Sequence, residues 1–319
     1  MSQGLSILFV VDPLDALKAY KDSSVAMMRE LARRGHDVWA CELDGMGWFE
    51  GSVLAQAQLL AVNDDDHAWY EVREEGRRAL ASFDVVLMRK DPPFDTEYLY
   101  ATFLLEAAQR EGARVFNDPR ALRDHNEKFA ITEFADYSAP TVIARSMDVL
   151  RGFHRDHGDI VVKPLDGMGG TSVFRLKADD PNLNVILETI THNGRRTVMA
   201  QRYLPQIKDG DKRVLLIDGQ PVPYCLARIP KAGETRGNLA AGGTGRAQPL
   251  SDADREICAA LGAPLASRGL LLVGLDVIGE SLTEVNVTSP TCFVEIAEQT
   301  GFNVAAMFVD ALERAVAAR

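Results

Sequence analysis

The stretch LDVIGESLTEVNVTSP, residues 275–290, sets acids into otherwise apolar runs. LLLVGLDVI and LTEVNV, parted by Gly279, Glu280 and Ser281, match a β-hairpin with a glycine-containing loop. A three-residue loop fixes the register, so that position 278 faces 282, 276 faces 284 and 274 faces 286. Asp276 then lies opposite Glu284, and the pleat puts Asn286 on the same face. At a cross-strand separation of roughly 5 Å and an effective dielectric of about 20, two ionised carboxylates repel by about 3 kcal/mol. A cation between them answers that repulsion, and removing either acid is expected to raise the stability of the ligand-free chain. Hard oxygen ligands at a hairpin end suit Mg²⁺, which keeps several waters and shares its remaining positions with phosphates. The alternative is a solvated hairpin with a two-residue turn, which sends Asp276 and Glu284 to opposite faces. The hairpin alone does not choose between them.

The rest of the 319 residues sets the context. With 46% hydrophobic and 25% charged residues, the composition is that of a soluble globular protein of two or three domains. A net charge of -11 argues against a nucleic-acid surface. The N-terminus runs straight into LSILFVV without a signal pattern, and no apolar run reaches membrane-spanning length. Cys41, Cys225, Cys258 and Cys292 are far apart and form no C-x-x-C, which fits a reducing cytoplasm. The histidines, His154 and His157 among them, read as surface residues.

LSILFVV, DSSVAMMRELARRG and HDVWACEL read as strand, helix and strand, and FDVVLMRK, TEYLYATFLLEAAQREG and ARVFN repeat the pattern. A parallel sheet with covering helices is expected. Its first turn, VVDPLDALKAY, lacks the glycines of a dinucleotide fingerprint. Residues 46–81, with an acidic DDDH tract at 64–67, read as a surface excursion. A second unit starts near Pro119, with a helix carrying Lys128. GDIVVKPLDGMGGTSVFRL then reads as an antiparallel pair around a glycine-rich turn, TVMAQRYL as a strand, and KRVLLIDGQPVPYCLARI as a hairpin turning at Asp218-Gly219.

Lys163 ends an apolar strand, and Gly167, Met168, Gly169, Gly170, Thr171 and Ser172 follow it closely. A fixed cation beside a flexible backbone suits the β- and γ-phosphates of a nucleotide, although the same residues also make an ordinary hairpin loop. Asp211 offers an acid to a ribose hydroxyl and Arg213 a guanidinium to phosphate; solvated turn charge is the plain alternative. Gln201 and the backbone at Tyr203 and Leu204 are candidates for an adenine edge. KAGETRGNLAAGGTGRAQP is too rich in glycine for a core element, and its Arg236, Asn238 and Arg246 suit a lid over a reactive intermediate.

In this order the pieces resemble an ATP-grasp ligase, and within that superfamily the bacterial glutathione synthetases. The resemblance rests on MRKDPPFDTEYLYAT (88–102), VKPLDGMGGTSVFR (162–175), KDGDKRVLLIDGQPVPYCLARIP (208–230), ETRGNLAAGG (234–243), LDVIG and LTEVNVTSPT. It is weakest over 46–81 and the final helix. The chain departs from the family pattern after the paired glycines, where Thr244 stands and the arginine comes at 246.

The resemblance implies an α/β (α+β overall) chain: a Rossmann-like N-terminal domain over 1–124, then an ATP-grasp fold of two α+β subdomains over 125–204 and 205–319, with a mobile loop at 231–246. It implies ATP-dependent joining of γ-glutamylcysteine to glycine through an acyl phosphate, with ADP and phosphate released. Lys128, Lys163, the glycine-rich turn, Gln201, Tyr203, Leu204 and Asp211 then hold ATP, and Asp276, Glu284 and Asn286 hold Mg²⁺, with Mn²⁺ as a possible substitute. Arg213, Arg228, Arg236 and Asn238 are the candidates to stabilise reacting oxygens. Ser289, Pro290 and Thr291, with Lys21, Ser23, Arg89 and Lys90 at N-terminal strand ends, are the substrate candidates. A homotetramer in the cytoplasm, free of nucleic acid and membrane, completes the expectation. Another ATP-grasp ligase and a non-catalytic nucleotide-binding regulator are the rival readings.

Overall fold

The computed structural model describes residues 4–231, 237, 239 and 242–318. Strand β1 (Ser6–Val10) lies inside a seven-stranded sheet and is buried from Ile7 to Val10. Helix α1 (Ser23–Arg33) follows because Asp22 caps it, accepting from the backbone N–H of Ser24 at 2.7 Å and Val25 at 2.9 Å, and Gly35 at φ +81° closes it. Strand β2 (Asp37–Cys41) returns parallel to β1.

Residues 46–81 differ from the expected surface excursion. They form β3 (Met46–Phe49), β4 (Ser52–Val62) and β5 (Tyr70–Ala79), antiparallel strands that extend the sheet beyond β2. Their pattern is weak in sequence because the buried face of β4 changes along the strand, from Val53, Ala55 and Ala57 to Leu60, while β5 is exposed along most of its length. The acidic tract is the tip between β4 and β5, where Arg33 meets Asp64 at 2.7 Å and Arg29 meets Asp66 at 3.1 Å. The parallel part resumes with β6 (Val85–Met88) beside β1, helix α2 (Thr96–Arg110) and β7 (Val115–Phe116) beside β6.

Helix α3 (Pro119–Asp124) leads into the second unit. Lys128 is not inside a helix as expected; it caps a 3₁₀ stretch, Phe129–Tyr137. The cause is Asn126, whose side-chain oxygen accepts the N–H groups of Lys128 at 3.2 Å and Phe129 at 2.9 Å and makes a local turn. Strands β8 (Thr141–Ala144), β9 (Ile160–Pro164), β10 (Phe174–Leu176) and β11 (Val198–Arg202) form an antiparallel sheet in the order β10-β9-β11-β8. Helices α4 (Met147–His157) and α5 (Leu183–Ile190) close its core of Leu150, Ile160, Val162, Leu187 and Val198. His154, read as a surface residue, is buried here with Nε2 2.8 Å from the Lys177 carbonyl.

The third sheet contains β12 (Asp211–Ile217), β13 (Gln220–Pro221), β14 (Tyr224–Ile229), β15 (Thr244–Pro249), β16 (Leu272–Ile278) and β17 (Ser281–Asn286), in the order β15-β14-β12-β16-β17 with β13 beside β12. Asp218 at φ +51° and Gly219 at φ +72° make the expected tight turn. Residues 244–246, expected in the loop, belong to β15 and pair with Ile229, Arg228 and Ala227. Helix α6 (Asp252–Ser267) starts from a capping box of Ser251 and Asp254. Helices α7 (Phe293–Thr300) and α8 (Val304–Ala317) return to the N-terminal sheet, where Phe293 and Phe308 share a core with Ile7, Phe9, Met28, Leu215 and Ile217. Asn117 adds a polar tie. Its Nδ2 donates to the carbonyls of Leu272 and Val287, both at 2.8 Å, which fixes the two ends of the β16–β17 hairpin. The four cysteines are free and buried. Among the described residues no helix is long and apolar enough to cross a membrane.

The hairpin reaches its expected pairing by a different route. Its turn has two residues, with Ile278 opposite Ser281 and Val277 opposite Leu282. Thr283 is then an extra residue, a β-bulge that puts Asp276 opposite Glu284, Leu275 opposite Val285 and Gly274 opposite Asn286. The Thr283 hydroxyl donates to the Asp276 carbonyl at 3.1 Å, and Leu282 and Val285, three residues apart, are both fully buried.

Candidate active site

A cavity of about 360 Å³ lies between the second and third sheets, and the Asp91-Pro92 loop of the first unit reaches its wall. Its floor is built by strand register. Arg213 on β12 pairs with Asp276 on β16, which pairs with Glu284 on β17, so three charged side chains cross the sheet in a row. Asp211 pairs with Arg228 in the next row. Arg213 Nε donates to Asp276 Oδ1 at 2.7 Å, and Arg228 Nη2 lies 2.9 Å from Asp276 Oδ2 and 2.6 Å from Asp211 Oδ2. Burial alone raises the Asp276 carboxyl, but the two guanidiniums overcome it and hold that carboxyl well below the usual range. For Asp211 burial wins over Arg228 and pushes the carboxyl up to about 7, with repulsion from Asp276 and Glu284 adding to the rise. Asp211 is therefore not solvated turn charge. Its Oδ1 is buried and has no hydrogen-bond partner among the described residues.

The opposite wall supplies cations. Lys163, at the end of β9, is buried, and its Nζ donates to the bulged Thr283 carbonyl at 3.2 Å and to Glu284 Oε1 at 3.3 Å. Lys128 Nζ donates to the Gly167 carbonyl at 2.5 Å and lies 3.6 Å from Glu284 Oε1. Burial opposes charge on Glu284, yet the two lysines leave its carboxyl lowered. The two acids thus face each other as expected, but each already has its own pair of cations. These counter-ions argue against the expected rise in stability on removing one of them. In the glycine-rich turn Gly169 and Gly170 take φ +62° and +78°, and a Cβ on Gly167 would meet Pro164 Cγ at 2.8 Å.

The donor set suits a hard divalent ion. The bonds that reach the Glu284 carboxylate end on Oε1, and Asn286 uses Nδ2 toward the Gly274 carbonyl at 3.2 Å, so Glu284 Oε2 and Asn286 Oδ1 are oxygens without protein donors among the described residues. Among those residues no three His, Cys, Asp or Glu side chains gather as a metal cluster. The candidate set is two acids and an amide, which leaves further positions for water or phosphate.

At the far end Val161, Leu204, Ile207 and Ile278 make apolar walls beside Gln201, whose Nε2 donates to Thr141 Oγ1 at 3.0 Å. Arg175 stacks 3.5 Å from the Tyr203 ring centre and is held by Asp159 at 3.0 and 2.6 Å. Sequence reading missed Arg175; its signal is its cross-strand place opposite Val161 on the β9–β10 pair. It also missed Glu127, Thr288 and the bulge residue Thr283, all cavity-lining.

Ser289 and Thr291 line the cavity. The other substrate candidates are engaged elsewhere. Ser23 is buried and its Oγ accepts the Phe293 N–H at 3.2 Å, while Arg89 is buried with Nη2 on the Pro290 carbonyl at 2.8 Å and Nε on Ser24 Oγ at 3.1 Å. Lys90 pairs with Asp12 at 2.7 Å and Lys21 is exposed beside Tyr20. Met168 is exposed on the glycine-rich turn. Arg236 and Asn238 lie outside the described residues, although Gly237 and Leu239 line the cavity.

Two family models match, the prokaryotic glutathione synthetase N-terminal domain over residues 5–123 and the prokaryotic glutathione synthetase ATP-grasp domain over residues 127–301. The chain belongs to the prokaryotic glutathione synthetase family. Glutathione synthetase of Ralstonia nicotianae is 60% identical over 98% of this chain and 96% of its own, and that of Pseudomonas aeruginosa 53% identical over 97% and 98%. Among solved structures, D-cycloserine synthetase DcsG superposes with a TM-score of 0.68 at 16% identity, covering 98% of this chain and 99% of its own. D-alanyl-alanine synthetase A of Vibrio cholerae gives 0.61 at 13% identity over 99% and 100%. At such identities these two speak for the fold, a Rossmann-like sheet followed by an ATP-grasp pair of α+β units. Family membership carries ATP use and a general dependence on divalent metal, and makes the chain an ADP-forming ligase of small molecules.

Proposed function

We propose that this chain joins γ-glutamylcysteine to glycine, with ATP becoming ADP and phosphate through an acyl phosphate on the cysteinyl carboxylate. The observation that carries the reading is the ionic row Arg213–Asp276–Glu284 facing Lys128, Lys163 and the glycine-rich turn across one cavity. Adenine enters the apolar end against Gln201, Tyr203 and Leu204, and a ribose hydroxyl donates to the orphaned Asp211 Oδ1. Lys128, Lys163 and the backbone of residues 167–171 receive the phosphates. Asp276, Glu284 and Asn286 hold Mg²⁺, or Mn²⁺ in its place, and the ion supplies charge neutralisation at the transferring phosphoryl group. Arg213 and Arg228, with Arg236 and Asn238 of the 231–246 segment, steady the reacting oxygens by positioning and charge. Ser289, Pro290 and Thr291 border the dipeptide, with Lys21, Ser23, Arg89 and Lys90 behind them. Residues 1–124, 125–204 and 205–319 are the working units of a cytoplasmic homotetramer that engages neither nucleic acid nor membrane. Mass spectrometry of the product from γ-glutamylcysteine, glycine and Mg-ATP tests the reading. Glutathione formed with one ADP per peptide bond is expected, and ADP release dependent on a different acid or amine refutes it.

A further inference from the structure

Glu127 and the exposed Asp91 are the cavity acids that the assigned roles leave unused, and only Glu127 is partly buried. Its Oε1 accepts the Thr288 hydroxyl at 2.7 Å and the N–H groups of Thr288 and Val287, both at 3.3 Å. Its own carbonyl accepts the Val285 N–H at 2.8 Å. Among the described residues no bond ends on Oε2 and no lysine, arginine or histidine pairs with the carboxylate. The other acids of the cavity differ. Asp276 and Asp211 have Arg228, Glu284 has both lysines, and Asp91 is exposed. A partly buried carboxylate with one oxygen clamped and no counter-ion is unfavourable until a cationic donor arrives.

We propose that Glu127 Oε2 receives the ammonium group of the amine substrate, which makes Glu127 a binding residue for glycine. The inference rests on the ligase reading above. Two ammonium groups enter that reaction, one on glycine and one at the glutamyl end of the dipeptide. Glu127 Oε1 is bonded to Val287 and Thr288, which directly follow Asn286 of the candidate ion site, so its carboxylate stands beside the reacting end. The dipeptide's ammonium lies at the opposite end of that substrate from the carboxyl that reacts. Glycine nitrogen must come within bonding distance of that carboxyl, and Glu127, which lines the cavity with its bonds on Oε1, leaves Oε2 to receive it.

The test is steady-state kinetics of Glu127→Gln with Mg-ATP and γ-glutamylcysteine, using either glycine or hydroxylamine as the amine. Glutamine keeps the Oε1 acceptor and replaces only the charged Oε2, and hydroxylamine is uncharged at neutral pH. The loss of one charge-assisted bond predicts a roughly 10–100-fold rise in the KM for glycine, with turnover on hydroxylamine and the KM for ATP and dipeptide changed by no more than about twofold. An unchanged glycine KM overturns the proposal, and so does a parallel loss with both amines, which marks Glu127 as a prop for Thr288 and nothing more. If Glu127→Gln does not fold, Glu127→Asp withdraws the charge by one methylene and gives the same comparison with the same two outcomes. Wild-type protein that forms no glutathione refutes the ligase reading and this inference with it; wild-type ligation without the glycine-selective defect refutes the inference alone.

Discussion

Asp276→Asn separates two accounts of the same pair of acids. If the Asp276 and Glu284 charges only repelled each other, neutralising one would stabilise the ligand-free protein. The structure argues the reverse. Asp276 is buried and bonded to Arg213 at 2.7 Å and Arg228 at 2.9 Å, both of them buried. Removing one partner of a buried ion pair costs roughly 3–5 kcal/mol. Arg228 keeps Asp211, and the amide keeps one acceptor oxygen, so about 3 kcal/mol, the low end of that range, is the expected loss. At about 2 °C per kcal/mol the melting temperature of the ligand-free protein falls by about 6 °C. The pH dependence follows in sign. The folded Asp276 carboxyl is held below its unfolded value of about 3.9, so its contribution is complete above that pH and is lost as pH falls through the folded value. The gap between wild type and variant should be full at neutral pH and close in acid. Differential scanning fluorimetry without nucleotide reads both effects, and ligation should be lost as well. A variant that melts at or above the wild-type temperature at pH 7 refutes the counter-ion account.

Lys128→Ala and Lys163→Ala should each weaken ATP binding by about tenfold or more and dipeptide binding little, as titration calorimetry with each ligand will show; unchanged ATP affinity in both returns the lysines to a structural role. Arg175→Ala removes the contact on Tyr203 and the Asp159 pair. It should cost about 1 kcal/mol of nucleotide affinity while leaving the dipeptide KM alone, and equal effects on both would place Arg175 outside the nucleotide end. Replacing residues 232–244 by a short Gly-Ser turn should leave ATP binding intact, lower ligation and raise phosphate released per peptide bond. One phosphate per product at the normal rate would make the segment a spacer.

The parallel core of the first sheet was legible because its strands are continuous apolar runs and its helices carry a cap and a terminal glycine, as at Asp22 and Gly35. Strands β3 to β5 were not, since the buried face of β4 switches between Ala57 and Leu60 and β5 is polar, which leaves no steady period to read. The hairpin was legible in its outcome and not in its geometry. Acids two residues from an amide, on runs of matching length, mark a shared face, yet a two-residue turn with a bulge and a three-residue turn without one give the same pairing beyond Thr283. Only backbone geometry separates them, because Thr283 suits either strand arrangement.

The counter-ions lay beyond the hairpin's own sequence. Arg213 reaches Asp276 through the register of β12 on β16, and Lys128 and Lys163 reach Glu284 from the second unit. Local pattern has no access to such pairings. Their consequence is a charge count that the acids alone misstate. Lys128, Lys163, Arg213 and Arg228 are four cations against Glu127, Asp211, Asp276 and Glu284, four acids, so this part of the cavity carries no net charge when all are ionised. A nucleoside triphosphate brings a charge of about −4, which the side chains cannot balance by themselves. A divalent ion brought in with the nucleotide answers that deficit, and Glu284, whose Oε2 is not bonded among the described residues, is where an ion can be accepted without first breaking an Asp276–arginine pair. ATP affinity should accordingly depend far more steeply on divalent ion in the wild type than in Glu284→Gln, whereas a variant with the wild-type dependence would move the ion away from this hairpin.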